Sequence, residues 1–380
     1  MSKSLLFITC HKLDENVGGS NASKGFIRCF AGLFDDCSII YPEIKCTTPY
    51  IPSVYRLIPC HDSRTKLQKG IDMYRGVVGA LFKCVKNHLK NYTYDIIVID
   101  HSVTATSLIR TIKATNAKII TIHHNVECDY LRDNGKERPI TYRIPYNYFA
   151  KKAERDCLQN SAVNLTVTEH DANTFRSWYP DIHVHNWGIF EYRNIPDKTF
   201  AQRPRGLTFV ITGSLSFVQS LTPILDFIHR YWPIALQHYP HAKLLVAGRD
   251  PAKELVSECT KQASITIIPN PEDIAAVVRQ ADYYICPISA GSGMKLRIYD
   301  GLKEGLPILC HEVSVSGYES IAKAGCLFAY HDERSFSASL NDTLKCTLSR
   351  QQVYDSFRKE FSWQTGISRL RNILQQENII

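Results

Sequence analysis

The run Pro287-Ile-Ser-Ala-Gly-Ser-Gly-Met-Lys-Leu-Arg-Ile-Tyr-Asp-Gly-Leu-Lys-Glu-Gly-Leu-Pro307 sets small residues, cations and a carboxylate in close succession. Gly291, Ser292 and Gly293 let backbone N–H groups approach an anion. The spacing predicts a helix opening just after them, whose N-terminus would add positive dipole. Lys295 and Arg297 supply cationic side chains there, and Asp300 follows one to two turns on, where a carboxylate could accept hydrogen bonds from sugar hydroxyls. The apolar Tyr283–Cys286 before the run reads as a strand, so these groups collect at a strand end. The chemistry implied is binding of a phosphorylated, hydroxyl-rich ligand.

Three other stretches carry candidate groups. Asn16-Val-Gly-Gly-Ser-Asn-Ala22 follows the first strand, and Gly18 and Gly19 permit close backbone approach. It is not G-x-G-x-x-G, so a nicotinamide fingerprint is absent; a plain turn capped by Ser20 or Asn21 is the competing reading. Ile122-His-His-Asn-Val-Glu127 ends a buried strand, where His124 could reach a ligand. Adjacent histidines on an extended chain point to opposite faces, which argues against His123 and His124 as a metal pair. No D-x-D falls on a plausible strand end, so no metal site is expected. Val210-Ile-Thr-Gly-Ser-Leu-Ser216 places Gly213 and Ser214 at a further strand end.

Positioning these groups requires strands that end where they begin. Apolar runs alternate with amphipathic stretches: Leu5–Thr9, Asp95–Asp100, Lys118–Ile122 and Ala162–Val167, then Leu207–Ile211, His241–Gly248, Ile265–Ile268 and Pro307–Cys310. Helices are expected over Ser23–Phe34, near Thr104–Thr115, from Glu169, over Leu221–Tyr239 and over Asp273–Ala281. Such alternation predicts parallel sheet with helices on both faces, and ligands outside the carboxyl ends of the strands. The pattern lapses into Asn, Pro, Asp, Lys and Arg between Tyr192 and Pro204, where a domain boundary is expected. Pro269-Asn-Pro-Glu-Asp273 reads equally as a base-framing loop or a helix-capping turn.

The chain has 380 residues, enough for two domains with full cores. It is 44% apolar and 22% charged, ordinary for a globular protein, and no apolar run reaches the roughly 18 residues of a spanning helix. The start is too briefly apolar for a signal peptide. Thirteen cysteines are scattered without C-x-x-C or zinc spacing, which reads as buried thiols in a reducing cytosol. Of the net charge of +8, much lies between Arg56 and Lys90. Lys66, Lys69, Arg75, Lys83, Lys86 and Lys90, with Tyr74, Val77, Val78, Leu81, Phe82 and Val85 beside them, could meet an anionic membrane surface or form a solvated helix face over core. No aromatic residues interleave with the cations in a nucleic-acid motif, so nucleic acid is not an expected partner.

The Gly-Ser-Gly-x-Lys run, the acid five positions later and the Gly305-Leu-Pro307 before an apolar strand resemble the donor site of GT-B glycosyltransferases, most closely glycosyltransferase family 4. Asp300 stands where that family commonly has Glu. Gly18-Gly19 and His124-Asn-Val-Glu127 resemble its first-domain motifs, and Gly317 fits a loop near sugar and phosphates. The resemblance implies α/β architecture of GT-B type, two Rossmann-like domains with parallel sheets facing a central cleft. It places an acceptor-side domain over 1–195, a nucleotide-sugar donor domain over 205–355, and a last segment, 356–380, that crosses back to the first domain. It implies a hexosyltransferase-type enzyme that moves sugar from a nucleotide-diphosphate-sugar to an acceptor hydroxyl, retaining and metal-independent, without a cofactor. The partners would be that donor and a glycan or lipid-linked acceptor, in the cytoplasm or peripherally on the inner membrane face. His124, Lys295 and Asp300 would be catalytic, and Gly18, Gly19, Gly213, Ser214, Gly291, Ser292, Gly293 and Arg297 donor-binding. Relatives often carry an Arg and a Lys shortly after the glycine matching Gly213; here Ser214, Ser216, Gln219 and Ser220 stand instead. A non-catalytic partner subunit and a GT-B nucleotide-sugar epimerase are the alternatives.

Overall fold

A computed structural model describes residues 3–43, 51–74, 81–105, 108–134, 140–201 and 205–380. The chain divides into two units, Met1–Ile195 with Phe361–Ile380, and Pro196–Glu360.

The first unit holds seven strands: β1 (Ser4–Thr9), β2 (Asp36–Pro42), β3 (Tyr55–Cys60), β4 (Ile96–Asp100), β5 (Lys118–His123), β6 (Val163–Thr166) and β7 (Val184–Asn186). All pair in parallel, in the order β3-β2-β1-β4-β5-β6-β7. Central strands of such a sheet are covered on both faces, hence the unbroken apolar runs of β1 and β4, whose Leu5 to Ile8 and Ile96 to Ile99 are buried. Register matters for the site: Thr9 lies opposite Asp100, and Asp100 opposite Ile122. The carboxyl ends of β1, β4 and β5 therefore stand side by side.

The helix Trp363–Gln376 packs on the helix Gly18–Ala31 within this unit. Close approach depends on glycine: a Cβ on Gly366 would lie 2.5 Å from Cys29 Sγ. The Trp187 indole N–H donates to the Gly366 carbonyl at 2.9 Å.

The second unit holds β8 (Thr208–Ser214), β9 (Lys243–Arg249), β10 (Ile265–Pro269), β11 (Tyr283–Cys286), β12 (Ile308–His311) and β13 (Leu327–Tyr330), again parallel, in the order β10-β9-β8-β11-β12-β13. Phe209, Phe227, Trp232 and Phe336 lie in one buried cluster on one side of this sheet. The helix expected over 221–239 is a compound one: Val218–Asp226, a π segment Phe227–Tyr231, then Trp232–His238. Pro233 has no N–H to return to the preceding turn, and a wider turn accommodates that loss.

Two expectations need correction. Cys60 and Cys84 form a disulfide joining β3 to the helix Leu81–His88, so not every cysteine is a free thiol. Among the free ones, Cys29, Cys37, Cys157, Cys259, Cys286, Cys310 and Cys326 are buried and Cys10 is exposed; Cys46 lies outside the described residues. Second, Leu81 and Val85 are buried in the first unit's core with Phe82 packed against them, which takes up that side of the helix. Arg75, Val77 and Val78, and the side chain of Tyr74, lie outside the described residues. Among the described residues no helix is long and apolar enough to cross a membrane.

Candidate functional site

In the second unit, the 287–307 run follows β11 and wraps toward the end of β8. The helix expected after Gly293 begins later, at Ile298, and has only six residues to Lys303. Its N-terminus therefore does not supply the dipole expected of it. Residues 287–297 form an irregular loop in which Gly291 and Gly293 take φ of +90° and +71°, a region other residues rarely enter.

Lys295 lies inside this loop. Its ammonium donates to the carbonyls of Gly291, Ser292 and Gly293 at 2.7, 2.9 and 3.1 Å, which uses all three of its N–H bonds. In a trans peptide the C=O and the following N–H point in opposite directions. Three carbonyls turned in toward Lys295 thus turn the N–H groups of Ser292, Gly293 and Met294 outward. The Ser292 hydroxyl oxygen is buried without a hydrogen-bond partner among the described residues. Gly317 (φ +84°) seats against Met294, where a Cβ would come within 2.3 Å of its Cγ, and the Tyr318 hydroxyl donates to the Lys295 carbonyl at 3.1 Å.

Arg297 leaves the loop toward β8. Its guanidinium donates to the Thr212 carbonyl at 3.2 Å and to Ser220 Oγ at 2.6 Å. It lies against Gly213 (φ +149°), where a Cβ would sit 2.8 Å from Arg297 Nη1. A cation thus stands beside Gly213 although Ser214 and its neighbours carry none. Asp300 is half-buried and accepts from Thr212 Oγ1 at 2.7 Å, and Thr212 Oγ1 is also 2.7 Å from the Tyr284 hydroxyl. With Thr212 donating to Asp300, Tyr284 donates to Thr212. Glycine loop, Arg297, Asp300 and the 314–319 segment thus come together at the carboxyl ends of β8, β11 and β12. The Pro269–Asp273 stretch is a turn in which Asp273 caps the helix Ile274–Gln280.

In the first unit the helix opens at Gly18 itself, with Val17 before it and no side-chain cap. Gly18 has nothing within 4 Å of a built Cβ, whereas a Cβ on Gly19 would come 2.5 Å from the His11 ring. His123 and His124 diverge: His123 Nε2 meets Asn164 Oδ1 at 3.0 Å, and His124 Nε2 meets Asp100 Oδ1 at 2.6 Å. Asp100 Oδ2 accepts from Thr9 Oγ1 at 2.6 Å and Ser23 Oγ at 2.5 Å. Burial would push the Asp100 carboxyl up, but the His124 charge and these hydrogen bonds hold it well below the usual range. His11 stacks on His124 with ring centroids 5.0 Å apart, and burial, then His124, lowers its pKa to about 3. Ligand atoms of His11, Asp100 and His124 lie within 4.8 Å of one another, but both Asp100 oxygens are already engaged by hydrogen bonds.

A second buried chain adjoins the first. His101, at φ +74°, pairs through Nε2 with Glu127 Oε1 at 3.0 Å. Burial opposes both charges, yet each raises the other's claim to ionise: the His101 pKa is raised and the Glu127 pKa lowered. The Glu127 N–H donates to Glu154 Oε1 at 2.6 Å. Burial, partly offset by that N–H and reinforced by the Glu127 carboxylate, pushes Glu154 up to about 8. His11, Asp100, His101 and Glu154 were not singled out from the sequence. His11, Asp100 and His101 lie at the carboxyl ends of β1 and β4, the position where α/β proteins place ligands, and that rule could have found them.

The raised Glu154 pKa has a pH consequence. The folded protein prefers the protonated acid, so its stabilising contribution is whole below about pH 4.5 and is lost as pH rises to about 8. Glu154→Gln keeps an acceptor for the Glu127 N–H and cannot titrate. Its unfolding temperature should decline less between these limits than that of the wild type. Parallel slopes in thermal unfolding across pH would refute the assignment.

Residues 207–346 match the family model described as glycosyl transferases group 1. This part of the chain is thus similar to the group 1 glycosyl transferases. A curated relative, an uncharacterized 44.6 kDa protein in the cps region of Klebsiella pneumoniae, is 24% identical over 262 residues, 63% of this chain. The match spans 65% of that relative's length. Sucrose-phosphate synthase from Thermosynechococcus elongatus superposes with a TM-score of 0.71 at 12% identity, covering 98% of each chain. Anabaena HepE, in complex with UDP, superposes with a TM-score of 0.65 at 10% identity, covering 98% of this chain and 100% of that one. The architecture is α/β, of GT-B type with two Rossmann-like units.

Proposed function

We propose that the chain transfers a hexosyl group from a nucleotide-diphosphate-sugar to an acceptor hydroxyl. The observation that carries this reading is the seating of Arg297 beside Gly213, next to the outward N–H groups of the glycine loop, inside the part similar to group 1 glycosyl transferases. A departing diphosphate needs fixed donors where its charge develops, and these groups offer them without a metal. Lys295 acts by holding the loop in that shape. Asp300, fixed by Thr212, faces ribose or sugar hydroxyls, with Gly213, Ser214, Gly291, Ser292 and Gly293 leaving room for the donor. In the first unit His124, with Gly18 and Gly19 near it, serves the sugar or the acceptor. Transfer proceeds with retention.

The UDP complex of HepE favours a UDP-sugar as donor. The relative from a cps region favours a glycan or lipid-linked acceptor in surface polysaccharide synthesis. One observation favours a second reading, a non-catalytic partner subunit: the Lys295 ammonium is spent on loop carbonyls.

Thermal shift against UDP, UDP-glucose, UDP-N-acetylglucosamine and GDP-mannose, followed by donor-hydrolysis assays, separates these readings. A ligand at 100 times its Kd should add about 2.7 kcal/mol of stability. Stabilisation with sugar release supports the enzyme; stabilisation without release across the panel supports the partner subunit; no stabilisation by any donor refutes both.

A further inference from the structure

The first unit carries a pocket of about 400 Å³ between the helices Ile140–Asn160 and Glu169–Trp178, with neither Asp100 nor His124 in its lining. Its volume falls within the range of small-ligand sites. Tyr148, Trp178 and Tyr179 line it, with Lys151 and Arg155 beside them and Glu154 among its lining residues. Tyr148 is 63% exposed and Trp178 41% exposed, a large apolar area to leave in water. Aromatic rings, with arginine, are the groups that most often anchor a partner. The charges are asymmetric. Arg155 and Lys152 share Asp156, but Lys151 and Arg155 both stand exposed at the pocket. The acid in its lining, Glu154, is itself buried and faces the Glu127 N–H.

We infer that this pocket binds an acidic saccharide, its ring laid on Trp178 and Tyr148 and its anionic group met by Lys151 and Arg155. A sugar ring offers a C–H face to an aromatic plate and hydroxyls to the rim, while the acid selects for the cations. The inference rests on the reading of the chain as a glycosyltransferase, and the pocket would hold part of the acceptor glycan outside the reacting centre. Carboxylate and phosphate sugars share this chemistry.

Isothermal titration of the full chain tests it, with a hexuronic-acid disaccharide, its neutral hexose counterpart and glucose 6-phosphate as probes. One of the acidic probes should bind about tenfold or more tighter than the neutral disaccharide, the worth of a charge-assisted hydrogen bond, and the tighter one identifies the source. Trp178→Ala, and separately the double change Lys151→Glu with Arg155→Glu, should each weaken it about tenfold, while UDP binding stays unchanged. All positions changed are at the surface, so the fold should persist, and circular dichroism checks this. Equal binding of acidic and neutral probes, no binding at millimolar concentration, or wild-type affinity in the variants would overturn the inference. Failure of the wild type to bind any nucleotide-sugar would instead sink the donor reading, and the saccharide titration would still decide the pocket.

Discussion

Arg297→Ala should lower transfer from the nucleotide-sugar by about a hundredfold to a thousandfold, the usual loss when one fixed donor to a developing anion is removed. The guanidinium is already oriented: one N–H is spent on the Thr212 carbonyl and one on Ser220 Oγ. Of its five N–H donors, three then remain for a ligand, with no other partner among the described residues. Arg297→Lys should recover little, because a single ammonium cannot hold both anchors and still face a phosphate. Ser220→Ala should cost less, since it loosens the group without removing its charge. The measurement is kcat/KM with the donor found active, on variants whose circular dichroism matches the wild type. Kinetics for Arg297→Ala within about twofold of wild type would remove this residue from the proposed diphosphate site.

Asp100→Ala should destabilise the first unit by about 3–5 kcal/mol, because it removes a buried charge that His124 faces and takes away a shared acceptor from Thr9 and Ser23. Thr9 Oγ1 and His124 Nε2 would lose this acceptor, and Ser23 Oγ would keep only the Gly19 carbonyl at 3.1 Å. The expected fall in unfolding temperature is roughly 10 °C. Asp100→Asn should be milder, since an amide retains one acceptor and adds a donor that only some of these groups can use. The low pKa of this carboxyl places its contribution above about pH 3.8, and that contribution is lost on acidification. The gap between Asp100→Ala and wild type should therefore be full at neutral pH. Differential scanning calorimetry decides it: a shift of no more than a couple of degrees would mean that Thr9 and His124 find other partners.

What the sequence by itself determined is what lies close along the chain. β1, β4, β5, β8, β9, β11 and β12 are read as strands because their central residues are mostly apolar and largely buried in the parallel sheets. The edge strand β3 was not read, because Arg56 and Pro59 interrupt it and half its residues face water. β2, β7 and β13 were missed too: β7 has three residues, and β13, at the other sheet's edge, has four. The run from Pro287 to Pro307 is legible as a candidate site for the same reason of proximity. Its glycines, cations and acid follow one another, so composition and spacing suffice to suggest the ligand.

Tertiary structure alone decided where those groups point. Spacing cannot show that Lys295 turns into its own loop while Arg297 reaches β8, since both directions are open to flexible side chains two residues apart. Nor could it show that His11, Asp100 and His124 meet. They come from three strand ends, and only the parallel register, Thr9 beside Asp100 and Asp100 beside Ile122, brings their side chains within hydrogen-bonding and stacking range. The strand pattern is a local property, set by burial of each segment. The site is a property of the order in which seven strands are laid side by side, which no single segment encodes.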